Sequence, residues 1–180
     1  MMVATTEARE RRGEGTGDIK GAHLHAEKDD FTAVKFTNDQ VDAIVSINLQ
    51  CKNHSTVEGK NKLLHLMLSE ALHGTVRDAI LWHTLLTETL IDLGFKLNPC
   101  DFCVANATIE EKQCANVHHV DGTKASHMGK AVVRQVCDAL ESKFGSMKAE
   151  IGKEQDFLWS TMACRDDRRF ETRMASHLSD

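Results

Sequence analysis

The sequence predicts an α+β fold, with an antiparallel sheet that packs two helices on one face. Three observations lead there. Two segments carry apolar residues at helical spacing, and each stops at a glycine. Short β-prone runs lie before, between and after them, without the strict strand–helix alternation of a parallel sheet. The run between the helices ends in Asp121-Gly122, a dipeptide that favours tight hairpin turns.

Residues 1–17 are charged and rich in Gly and Thr, and read as poorly ordered. DIKGAHLHAEKDD, from Asp18 to Asp30, reads as a strand running into a turn. FTAVKFTNDQVDAIVSIN reads as two β-prone runs around Thr-Asn-Asp, CKNHSTVEGKNK as a loop, and LLHLMLSEAL as a buried strand or a short mixed segment.

The first helix is expected over 76–93. Thr75 caps it, with Asp78 as an acidic variant of the capping box. Val76, Ala79, Ile80, His83, Leu86, Leu90 and Leu93 form its apolar stripe, widened by Trp82 and Leu85; Gly94 closes it and Pro99 prevents its resumption. Strands are expected at 102–108 and 113–120. The second helix, 130–144, carries Val132, Val133, Val136, Cys137, Leu140 and Phe144 and stops at Gly145. MKAEI and FLWSTMA read as short strands, and the polar tail from Arg165 as frayed.

A length of 180 residues suits one domain, or one and a fragment, with a real core, and 41% hydrophobic with 27% charged residues places it among ordinary globular chains. No apolar run reaches the roughly 18 residues of a membrane span. The start, MMVATTEARERRGEGTGD, lacks the apolar core of a secretory signal, so an intracellular protein with reduced cysteines is expected. The net charge of −5 counts against sequence-independent nucleic-acid binding by the whole surface, though not against a local basic groove.

Cys100-Asp-Phe-Cys103 has the spacing of a zinc half-site or redox pair. Cys114 supplies no second pair, and the motif opens a strand and not a helix, so the spacing reads as coincidence. The histidines include His23, His25, His65, His73, His83, His118, His119 and His127, with no helical metal motif among them. Asp18 and Asp121 each lie in or beside a strand, and sheet pairing would join them into a hard-oxygen site suited to Mg²⁺. Solvated surface is the alternative.

Read in order, five segments resemble the reverse transcriptase of copia-type retrotransposons. GDIKGAHLHAEKDD is similar to the family's first aspartate motif, and ALHGTVRDAILWH to its A-L-Y-G-x-x-Q segment. LIDLGFKLNPCDFCVAN resembles the L-x-x-x-G-F-x-x-N-P-Y-D-P-C-V stretch, HVDG stands at [YH]-V-D-D, and KFGSMKAEIGKEQDFLW resembles the segment that follows. The resemblance covers residues 18–160, a partial palm domain, and leaves 161–180 as a polar tail. It implies a palm of four antiparallel strands on two helices and RNA-directed DNA synthesis by two Mg²⁺ ions held by three aspartates. It further implies an RNA or DNA template-primer and deoxynucleotides as partners. Carried over by position, Asp18 and Asp121 are the first two metal-binding, catalytic carboxylates. Gly74 and Arg77 lie in the segment lining the incoming nucleotide, Arg77 at the usual glutamine.

Departures accompany the matches. Gly122 stands where the third aspartate belongs, and the strand leading to Asp18 reads RRGEGTG and not apolar, which puts its place in a sheet in doubt. Fingers, thumb and ribonuclease H segments are not recognisable, so a catalytically dead fragment is expected. The chain has no tyrosine. His73, His83 and Cys100 stand where the family has Tyr, and His119 where it has Tyr or His. Tyr→His, Tyr→Cys and Asp→Gly are each single transitions, as in an element copy decaying without selection. A non-synonymous to synonymous ratio far below one against intact sister copies would contradict that. Two other readings stay open: a palm remnant that binds nucleic acid or protein, and a metal-binding protein built on the Cys and His residues.

Overall fold

The computed structural model describes residues 7, 9–28, 31–71, 74–145, 147–158, 160–165 and 169–174. A six-stranded antiparallel sheet forms its centre. In chain order its strands are β1 (Gly13–Ile19), β5 (Lys96–Asn98), β6 (Asp101–Ile109), β7 (Lys112–His119), β8 (Gly122–His127) and β9 (Met147–Gly152), arranged β5-β6-β7-β8-β1-β9. The first strand in sequence therefore lies near the far edge, between β8 and β9. The expected four strands are exceeded by two.

Between β1 and β5 the chain builds a smaller sheet from β2 (Ala33–Thr37), β3 (Thr56–Glu58) and β4 (Asn61–Met67), in the order β2-β4-β3. Helix α1 (Asp39–Ile47) lies within this insertion. Residues 39–47 were expected to be a β run; two acidic residues, Asp39 and Asp42, in the first turn favour the helix macrodipole, and Val41 is buried. The expected loop at CKNHSTVEGKNK holds instead a 3₁₀ segment, Leu49–His54, and the β3–β4 hairpin, whose turn places Gly59 at φ 63°. A third sheet joins β10 (Glu154–Phe157), β11 (Ser160–Cys164) and β12 (Phe170–Arg173). The tail from 165 is thus not wholly frayed, because Phe170–Arg173 pairs with β11.

Both long helices pack on one face of the six-stranded sheet, as expected. Helix α2 spans Val76–Asp92, with the Thr75 hydroxyl accepting the Asp78 N–H at 3.1 Å; α3 spans Lys130–Phe144. The six apolar residues expected to face the core from α3 are all buried. On α2 the stripe holds in part. Val76 and Ile80 are exposed, and the buried row is Asp78, Trp82, Leu86 and Leu90. Asp78 goes inside because Lys28 reaches it at 2.5 Å, a buried ion pair that α2's own periodicity does not reveal.

The largest correction concerns β1. The expectation of poor order over 1–17 fails from Gly13 onward: GEGTGDI is an inner strand of the sheet, with Gly13 to Gly17 buried. The strand enters the core through what its side chains lack. A Cβ on Gly15 would stand 2.7 Å from Val133 Cγ1, 3.2 Å from Ile151 Cγ1 and 3.3 Å from Cys137 Sγ. Three strand glycines cost roughly 2–3 kcal/mol in chain entropy. The six apolar side chains that α3 buries return about 1.5–3 kcal/mol each, so docking the helix closely on a glycine strand wins. Glu14 is buried beside Lys124 on the other face (3.1 Å), and Lys124 also reaches Glu7 at 2.5 Å.

Among the described residues no helix is long and apolar enough to cross a membrane, which leaves membrane-crossing strands unaddressed.

Candidate active site

Asp18 is the penultimate residue of β1, and its Cα pairs with Gly122 at the start of β8. His119 pairs with the same Gly122 across β7–β8, so the two-residue hairpin loop is Val120-Asp121. Sheet pairing therefore brings the two predicted carboxylates to one end of the sheet. The Ile19 N–H donates to the Asp121 carbonyl at 2.9 Å, and both aspartates are exposed to solvent.

Gly122 is not required by the turn. The loop residue with positive φ is Val120, at 53°, whereas Gly122 is not among the glycines in that region. A β-branched residue there is strained by about 1–3 kcal/mol. The Trp82 indole N–H donates to its carbonyl at 2.5 Å and ties the turn to α2. A Cβ on Gly122 meets the His119 carbonyl and Phe157 Cε2 at 3.5 Å each, ordinary contact distances. Opposed residues of an antiparallel pair point to one face with Cβ atoms about 4.5–5.5 Å apart. A carboxylate at 122 would therefore stand beside that of Asp18.

Gly74 lies in the loop before α2 at φ 117°, and Arg77 on the first turn of α2; both are exposed. Arg77 sits about 7 Å along the helix axis from Trp82, which touches the aspartate-bearing turn. His73 falls outside the described residues.

Another group of side chains meets behind this turn. His83 of α2, Cys103 of β6 and His118 of β7 bring their ligand atoms within 4.8 Å of one another. They line a cavity of about 210 Å³ together with Trp82 and His119. Burial pushes the His118 imidazole pKa down to about 4, assisted by His83 and His119 and opposed by Asp101. Each of the three residues is visible in the sequence, but their meeting depends on which helix face turns inward. On the opposite face, burial disfavours the Lys124 ammonium, yet Glu7 and Glu14 outweigh it and raise its pKa. The polar run TKASH gave no sign of that buried strand.

No protein-family model and no curated protein sequence matches the chain. A solved structure does: apo telomerase from Candida Tropicalis, truncated from its C-terminal domain. The superposition has a TM-score of 0.50 at 12% identity, covering 96% of this chain and 40% of that one. What the two share is a fold. The chain spans less than half of the telomerase chain, so the likeness concerns architecture alone.

Proposed function

We propose that this chain is part of a copia-type reverse transcriptase palm whose carboxylate set is incomplete. The observation that carries the reading is the direct pairing of Asp18 with Gly122, with Asp121 in the adjoining turn. In this reading Asp18 and Asp121 are the surviving Mg²⁺ ligands, and Gly122 occupies the place of the third. Gly74 and Arg77 belong to the nucleotide-lining segment, and template-primer RNA or DNA with deoxynucleotides are the partners of the intact enzyme. The five motifs in order and the telomerase-like fold support the same assignment.

Mg²⁺ dehydrates reluctantly and needs near-octahedral oxygen geometry. Two carboxylates supply less charge and fewer oxygens than two metals demand. If the lost ligand removes about 4 kcal/mol of transition-state stabilisation, the rate falls roughly a thousandfold. Primer extension by the purified chain on RNA and DNA templates with Mg²⁺ is therefore expected to stay at background. Robust extension that disappears in Asp121→Asn would contradict the claim of an incomplete site.

A further inference from the structure

We propose that His83, Cys103 and His118 form a soft-metal site that takes Zn²⁺, separate from the carboxylates. Three donors from three different elements converge: His83 from α2, Cys103 from β6 and His118 from β7. Two imidazoles and a thiolate suit zinc and not magnesium. Bonds of about 2.0–2.3 Å in a tetrahedron place neighbouring ligand atoms about 3.3–3.8 Å apart. The present separations, all within 4.8 Å, close by about 1 Å through rotation of the half-buried His83 and Cys103 side chains.

The second observation is independent of this clustering. His118 is 2% exposed, and neither of its ring nitrogens has a hydrogen-bond partner. A neutral imidazole carries one donor and one acceptor, and leaving a buried polar group unsatisfied costs about 1–3 kcal/mol. The ring also lies 5.5 Å from that of His83, tilted by 46°, with no bond between them. A metal ion satisfies one of those nitrogens and gives the pair a reason to face each other. The fourth position opens onto the cavity of about 210 Å³, which has room for water.

The test uses the full chain, purified through a chelator and titrated with Zn²⁺ alone by calorimetry, then with Co²⁺ by absorption spectroscopy. One equivalent of zinc is expected, and Co²⁺ is expected to show thiolate charge transfer with tetrahedral d–d bands. Cys103→Ser should abolish the charge-transfer band and weaken zinc binding by about tenfold or more. Cys100→Ser should change neither, because Cys100 is exposed and outside the cluster. His83→Gln, at a half-buried helix position, removes a second ligand and should likewise weaken zinc, which keeps the test decisive should Cys103→Ser fail to fold. Absent zinc binding, or binding unchanged in Cys103→Ser or His83→Gln, overturns the site. Equal loss in Cys100→Ser and Cys103→Ser with no effect of His83→Gln overturns it in favour of a CxxC chelate.

Discussion

The glycine strand that carries Asp18 makes a quantitative demand on its neighbours. In Gly15→Ala the new methyl group meets three side chains closer than 3.4 Å, the tightest being Val133 Cγ1 at 2.7 Å. Val133 is fully buried and β-branched on a helix, with little rotamer freedom to yield. Overpacking of this kind costs about 1–3 kcal/mol, and the reduced entropy of the unfolded chain returns about 0.4–1 kcal/mol. The net loss is then about 1–2 kcal/mol. With a urea slope of about 2 kcal/mol per molar, the unfolding midpoint should fall by roughly 0.5–1 M. Gly17→Ala is the internal control. Its tightest contact is also 2.7 Å, but all three are with the flexible Met147 side chain, which can move aside. Pairing Gly15→Ala with Val133→Ala should recover part of the loss as a favourable coupling energy. A Gly15→Ala protein as stable as Gly17→Ala would refute the close-docking explanation of β1.

Two further outcomes follow from buried polar groups. Lys124→Met leaves Glu7 and Glu14 buried without their shared cation, so it should cost about 3–5 kcal/mol in denaturant unfolding; a change below about 1 kcal/mol would show that the network is solvated. His118, ordinarily near 6.5, is held near 4 in the fold, so between these values the unfolded chain binds the proton and the native one does not. Its contribution is complete above pH 6.5 and is lost as pH falls towards 4. The full shift is worth about 3 kcal/mol, reduced to about 1–2 kcal/mol where solvent enters the cavity. In zinc-free buffer the stability advantage of the native protein over His118→Asn should shrink by that amount from pH 7 to pH 4, and a pH-independent difference would contradict it.

The parts of the fold governed by local apolar spacing were readable in the sequence. Helix α3 matches 130–144 with each of its core residues, and the turn at Asp121 followed from the β-prone run before it and the Asp-Gly dipeptide. What escaped was governed by partners distant in sequence. Polar Thr123, Lys124, Ser126 and His127 form a buried strand because Glu7, Glu14 and Asn116 meet two of them from other elements. Glycine-rich β1 looked unstructured because a strand defined by close helix approach has no apolar pattern to show. On helix α2 the expected stripe holds at Trp82, Leu86 and Leu90 but fails at Val76 and Ile80, because the Lys28–Asp78 pair that turns Asp78 inward is invisible to hydropathy. The same orientation of the helix places His83 towards His118. Asp18, Asp121 and the third-aspartate position of Gly122 were legible through the motifs, but whether the turn needs a glycine there was not. The backbone of Gly122 imposes no need for glycine, whereas the Asp-Gly dipeptide suggested that the turn did.

The claim that residues 18, 121 and 122 occupy a carboxylate metal site is tested most directly by restoring the third member. Mn²⁺ stands in for Mg²⁺ in an electron paramagnetic resonance titration of the wild type, Gly122→Asp, and Gly122→Asp with Asp18→Asn. The opposed Cβ geometry predicts that Gly122→Asp binds Mn²⁺ about tenfold or more tightly than the wild type, a gain of about 1.4 kcal/mol, and that Asp18→Asn removes the gain. Equal affinity in all three proteins, or a gain that survives Asp18→Asn, would contradict it.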